Sequence, residues 1–263
     1  ISFAGHVEVL IHRSVWTAFL LLVTTFLFSK WNILKKILND KKKLFILFIS
    51  GFLIFVNWGV WIYAVSVDKI IDASFGYFIM PIISVFLGNF FFNEPITKKG
   101  KISIFLVIIS VSYLLIIDFN SIPWVGLIVA LSWSFYNLFR KKINVETDIG
   151  LLIESLYILP FVLVAFYFIS INNYNDFSLS NPSLMPLLML AGPMTVIPLF
   201  LYVRGVELAG LGPAGMIFYI TPTLQFILGF FIYNEQFNIN QLVSFILIWI
   251  AVFIYLKDIY EKN

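Results

Sequence analysis

The sequence predicts an all-α polytopic membrane protein, an inverted repeat of five-helix halves (5+5) with the first helix missing, so that nine spans are visible. Three observations predict it. Hydrophobic residues make up 61% of the 263 positions and charged residues only 12%, against about 45–50% and about 25% in soluble domains. That is too little charge to cover a surface facing water. The chain also repeats itself: moving Pro81, Gly88, Asn93 and Glu94 forward by 141 positions lands on Pro222, Gly229, Asn234 and Glu235 without a gap. Eleven of the thirty-five positions in 77–111 are identical in 218–252, and such self-similarity marks a duplicated architecture. Finally, the basic residues gather on alternate connectors.

A membrane helix needs about 20 mostly apolar residues to cross about 30 Å of hydrocarbon. On that criterion spans fall near 8–28, 44–66, 73–92, 102–118, 122–139, 149–170, 184–203, 213–233 and 240–256. The connector after the first carries Lys30, Lys35, Lys36, Lys41, Lys42 and Lys43. Lys98, Lys99 and Lys101 follow two connectors later, then Arg140, Lys141 and Lys142, then Arg204, then Lys257 and Lys262. If the spans alternate, these fifteen of seventeen basic residues share one side, which the positive-inside rule places in the cytoplasm together with the C-terminus. Only Arg13 and Lys69 lie elsewhere. The copy near Pro81 then runs inward and the copy near Pro222 outward, the inverted topology of many secondary transporters. The halves are expected at 1–118, with four visible helices, and 119–263, with five. Subtracting 141 from the span at 122–139 leads to positions before residue 1, so the chain is expected to lack one helix of a longer parent.

Several chemistries are excluded. Without cysteine there is no disulfide, thiol catalyst or thiolate metal site. His6 and His12 are too few and too poorly partnered for a metal, and no cofactor is expected. Gly210 to Gly215 fits G-x-G-x-x-G, but the dinucleotide fingerprint requires a preceding strand. Here it joins two spans and reads as a tight turn with Pro213 starting the next helix. No Walker motif is present. An integral-membrane enzyme would need an activated pair near one interface, and Asp68 and Asp72 have no base beside them. That class and a non-transporting scaffold are the alternatives to a transporter.

Several runs resemble a known family. Asn57-Trp58-Gly59, Ala73 to Ile79, Pro81, Leu87-Gly88 and Asn93-Glu94 look like the first half of the RarD-type permeases, in the EamA group of the drug/metabolite transporter superfamily. His12 to Trp16, Pro123-Trp124, Arg140 to Lys142, Gly150 to Glu154, Gly192-Pro193, Tyr219 to Phe226 and Ser244-Phe245 continue the likeness in the family's order. The resemblance implies a ten-helix permease of the bacterial inner membrane.

Ionisable and polar groups inside a membrane are costly and mark a pathway or a buried pair. Arg13 and Glu154 are such groups, 141 positions apart, and read as charge contacts at opposite mouths of one cavity. A direct bridge between them is not expected, because inversion sets them at different depths. Asn57 and Trp61 share a helix face, with Trp58 beside them, and suit a pocket for an amphipathic or aromatic solute. Trp133, Tyr136, Asn137 and Arg140 form a stripe. Tyr136 and Asn137 are candidate cavity residues, and Arg140 is expected as an anchor at the membrane surface. In the duplicated element Pro81 and Gly88, with Pro222 and Gly229, are the expected helix-breaking or hinge positions. Tyr77, Ser84, Tyr219 and Gln225 are its candidate pathway residues. Glu94 and Glu235 read as turn or cap groups. The expected function is transport of a small organic metabolite or drug by alternating access, with the lipid bilayer and a coupling ion such as a proton as the other partners.

Overall fold

A computed structural model describes residues 5–67, 69–118, 123–172, 176–177, 182–231 and 239–261. Every regular element among them is an α-helix. In chain order these are α1 (His6–Leu27), α2 (Trp31–Leu38), α3 (Lys41–Ser66), α4 (Ile70–Phe92), α5 (Lys98–Asp118) and α6 (Trp124–Ile143). They continue with α7 (Thr147–Ile171), α8 (Leu184–Ala209), α9 (Leu211–Ile217), α10 (Ile220–Phe231) and α11 (Ile239–Tyr260). Asn234 and Glu235 lie outside the described residues, and Gln225 and Gly229 outside the described side chains.

The duplication is visible in the helix starts. α1 and α7, α4 and α9, and α5 and α11 each begin 141 residues apart. Among the described residues seven helices, α1, α3, α4, α5, α7, α8 and α11, are long and apolar enough to cross a membrane. α6 is diluted by Ser132, Ser134, Asn137, Arg140, Lys141 and Lys142, and α9 and α10 are each short.

Local chemistry explains the boundaries. Asp40 accepts the Lys43 N–H at 3.1 Å and starts α3, and the Thr97 hydroxyl accepts the Gly100 N–H at 2.8 Å at the start of α5. Asn93 closes α4 in the left-handed conformation, φ 52°, which asparagine tolerates better than other residues with a Cβ. α2 falls within the lysine-rich connector, where the sequence suggested no helix. Its Leu34 and Ile37 are one turn apart and buried, while Lys35 and Lys36 fill the last turn. The two prolines of the duplicated element behave differently. α4 continues unbroken through Pro81, whereas the corresponding stretch splits at Phe218–Tyr219, just before Pro222. Pro222 has no N–H to return to the Phe218 carbonyl four residues back, and that carbonyl accepts the Thr221 N–H at 2.9 Å instead.

The chain forms two compact units. One comprises residues 1–68 and 135–207, the other residues 69–134 and 208–263. In the first, α7 packs on α1 and α3. In the second, α5 packs on α11 and α4 on α9, around Phe78, Val85, Val107, Met216, Tyr219 and Ile248. Each unit therefore draws helices from both sequence halves.

Candidate functional site

The first unit holds the candidate site. A small cavity lies among α1, α3, α7 and α8, lined by Thr17, Trp58, Glu154, Ser155, Ile158 and Leu199 together with Leu21, Ile54, Leu151 and Val196. Its volume is about 10 Å³, the space of about one water molecule. Positions 17 and 158 are 141 apart, as are 58 and 199, and all four line it. Positions that the 141-residue offset relates thus line one space. Thr17 is buried and its hydroxyl has no hydrogen-bond partner among the described residues.

Glu154 is the only carboxylate in that lining, and 2% of it is exposed. Its Oε1 accepts the Ser50 hydroxyl at 2.5 Å and its Oε2 the Tyr136 hydroxyl at 3.3 Å. Gly51 lets α3 come close: a Cβ there would sit 3.3 Å from the Glu154 backbone. Arg13 does not pair with Glu154. Its guanidinium carbon stands 4.3 Å over the ring of Trp58, which itself lines the cavity, a cation–π arrangement.

The countercharge of Glu154 is Arg140, and here the structure corrects the sequence reading. Arg140 is not a surface anchor but 1% exposed, with Nε 3.6 Å from Glu154 Oε1. Its Nη2 donates to the Thr147 carbonyl at 3.2 Å and lies 3.9 Å from Glu207 Oε1. Gly150, one turn before Glu154 on α7, makes room, since any Cβ there would collide with the Arg140 guanidinium. Glu207 Oε2 accepts the Thr147 hydroxyl at 2.9 Å and Arg204 Nη1 at 3.0 Å. Nearby, Lys30 Nζ donates to Glu146 at 2.9 Å and Asp148 at 2.6 Å. Partial burial works against the Lys30 ammonium, but those two carboxylates outweigh it and hold its pKa above the ordinary lysine value. The ends of α6, α7 and α8 and Lys30, the residue before α2, are thereby fastened by charge.

The remaining expected site residues divide between the units. Asn57 and Asn137 are buried and Trp61 half-buried in the first unit. Both amide atoms of Asn137 lack a hydrogen-bond partner among the described residues. Tyr77, Ser84 and Tyr219 belong to the second unit. The Tyr77 ring meets Phe218 at 5.7 Å, Ser84 packs against Gly215, and the Tyr219 hydroxyl donates to the Phe78 carbonyl at 2.7 Å. Pro81 and Gly88 are packing positions here. Pro81 faces Gly215, and Gly88 leaves room for the Glu94 carboxylate. Glu94 is a cap, but of another helix: it accepts the Leu211 and Gly212 N–H groups, both at 2.9 Å, at the start of α9. The Gly-rich run therefore presents its N–H groups to the chain's own carboxylate.

Sequence reasoning missed Thr17, Ser50, Thr147 and Glu207. Thr17 was legible in principle, one turn after Arg13 on the same face. It also missed Glu8, a buried carboxylate that accepts the N–H groups of Asp176 (2.9 Å) and Phe177 (2.8 Å). His12 stacks on Phe177 at 4.5 Å and accepts the Trp16 indole N–H at 3.2 Å. Among the described residues no group of side chains could hold a metal ion.

Known proteins bear on this arrangement. The EamA-like transporter family matches residues 2–116 and 121–257. Protein RarD of Escherichia coli K12 is 34% identical over 251 residues, covering 95% of this chain and 84% of that protein. An uncharacterized transporter of Vibrio cholerae is 32% identical over 95% of the chain and 83% of its own length. The transporter YojE of Bacillus subtilis is 31% identical over 94% and 83%. These relatives point to a transporter rather than an enzyme. With its seven apolar helices, the chain is a multi-pass membrane protein that belongs to the EamA-like transporter family.

Proposed function

We propose that the protein is a secondary permease that moves a small organic metabolite or drug by alternating access between two inverted repeats, residues 1–118 and 119–263. In this reading α6, and α9 with α10, complete nine spans. The lysine-rich connectors and the C-terminus face the cytoplasm, and the membrane is the bacterial inner membrane. One observation carries the proposal: a cavity lined by repeat-equivalent residues from both halves, with a buried carboxylate in its wall. Intramembrane ionisable groups of this kind are kept for a pathway, and inverted repeats rock around such a midplane site.

Arg13, Asn57, Trp58, Trp61, Tyr136, Asn137 and Glu154 are the proposed solute contacts in the first unit, and Tyr77, Ser84, Tyr219 and Gln225 those in the second. Pro81, Gly88, Pro222 and Gly229 are the proposed hinge positions. Apolar walls with few polar anchors fit an amphipathic solute. Glu154, the carboxylate in the cavity wall, is the proposed proton carrier for coupled exchange.

A thermal-shift screen of the purified protein against amphipathic metabolites and drugs tests the reading, because a ligand that binds only the folded state raises the unfolding midpoint. Active compounds should bind Trp58→Ala at least about tenfold more weakly, a loss of about 1.4 kcal/mol, and should cross proteoliposome membranes containing the parent. Compounds that bind Trp58→Ala and the parent equally would place the solute elsewhere.

A further inference from the structure

We propose that Arg140 is a switch between two carboxylates, Glu154 and Glu207, thrown when Glu154 takes up a proton, and that its movement opens the charge-fastened end of the first unit. The proposal rests on the reading above, that the Glu154 cavity belongs to a transport path. It starts from an arginine that is enclosed but not fully satisfied. Arg140 Nε is 3.6 Å from Glu154 and Nη2 is 3.9 Å from Glu207, both beyond hydrogen-bond length. Its hydrogen bond goes to a neutral acceptor, the Thr147 carbonyl. Nε and Nη1 have no hydrogen-bond partner among the described residues. Buried donors without acceptors are costly, so a guanidinium held between two acceptors is poised to settle on one.

The charges balance through the step. With Glu154 ionised, Arg140 is its countercharge, and the Ser50 and Tyr136 hydroxyls complete its shell. A proton added to a Glu154 carboxylate oxygen makes that residue neutral. Arg140 keeps its own proton and charge, and among the described residues the other carboxylate beside it is Glu207. Glu207 in turn can release Arg204, whose side chain is 53% exposed and can be taken up by solvent. Gly150 leaves the face of α7 beside Arg140 without a side chain to block the movement. The charged and titratable groups around Glu154 are Arg140 and Tyr136 on α6, Glu207 on α8, and Arg13 on α1 against the cavity's Trp58. α3 contributes the neutral Ser50. Because Arg140 lies near the end of α6, Thr147 at the start of α7 and Glu207 near the end of α8, exchanging its partner changes how three helix ends are tied. Two discrete arrangements of one element are what a conformational switch requires.

The chain has no cysteine, so a single Ser155→Cys in the cavity wall reports access directly. Its maleimide labelling in the purified, detergent-solubilised full chain is measured relative to Ser66→Cys, at an exposed position, which corrects for thiol ionisation. The corrected rate should rise about tenfold from neutral to mildly acidic pH, the change produced by about 1.4 kcal/mol of population shift. Glu154→Gln, which imitates the protonated acid, should label fast at both pH values. Glu207→Gln should remove the acid response by removing the second station. Glu154→Asp, which still titrates, should keep it and serves as the control for folding. A response that persists in Glu154→Gln, or is unchanged in Glu207→Gln, overturns the switch. The solute screen is scored on Trp58→Ala, so a failed screen with an intact acid response counts against the solute site and not against Arg140.

Discussion

The two compact units solve the same packing problem with different chemistry. Among the described residues, the buried side chains of the second unit that are polar are all serines: Ser84, Ser103, Ser110, Ser132, Ser134 and Ser244. Several are used to tie one helix to another, with Ser103 donating to the Ala251 carbonyl at 2.5 Å and Ser110 to the Ser244 carbonyl at 2.9 Å. Its charges stay at the helix ends, where Glu94 caps α9 and Lys99 pairs with Glu261. The first unit instead encloses Glu8, Arg140 and Glu154. Hydroxyl-to-carbonyl bonds have one arrangement and hold helices still. Buried ions can exchange partners and gain or lose protons, at the cost of desolvation. On the function proposed above, the second unit would serve as the scaffold and the first, with its buried ions, as the working part.

The largest effect that would test this contrast comes from breaking the buried pair. Glu154→Ala leaves Arg140 without its nearer carboxylate and should destabilise the protein by about 3–5 kcal/mol, read as a fall in the unfolding midpoint. Arg140→Met with Glu154→Leu should recover most of that loss, since an apolar pair of similar volume replaces an ion pair at little net cost. If the double variant is as unstable as the single one, the pair is structural and the contrast between the units weakens. In the second unit, Glu94→Ala removes two charge-assisted bonds at the start of α9 and should cost about 2 kcal/mol, with Glu94→Gln losing less. The smallest effect belongs to Glu261. The hydrogen bond from Lys99 holds its carboxyl below the usual value, so the stability this supplies is present above the ordinary glutamate pKa and fades as pH falls through the depressed one. Lys99→Met should flatten that acid-side slope in a pH series of unfolding midpoints, and only slightly, because the pair is exposed to solvent.

Much of the fold was legible because membrane helices advertise themselves by length and composition, and because the repeat is ungapped. The dismissal of the Gly-rich run came from local patterns, whereas α9 starts at Leu211, two residues before Pro213, and Glu94 caps that helix from 117 residues away. The sites were harder. Arg140 precedes two lysines, and that context suggested the membrane surface. What sequence cannot show is that Arg140 is enclosed like Tyr136 and Asn137 while Lys142 is exposed. Glu207 was invisible because nothing near it in sequence is its partner except Arg204. Glu8 and the Asp176–Phe177 segment are 168 residues or more apart, a pairing that only tertiary structure creates.

Positions 13 and 154 have one further consequence. They are equivalent in the repeat, yet one carries a guanidinium and the other a carboxylate. Two identical chains would have to carry the same residue at both places. Joining the copies in one polypeptide removes that restriction and lets each accept mutations the other does not share. The opposite signs of Arg13 and Glu154 thus make the two copies electrostatically distinct at one equivalent position.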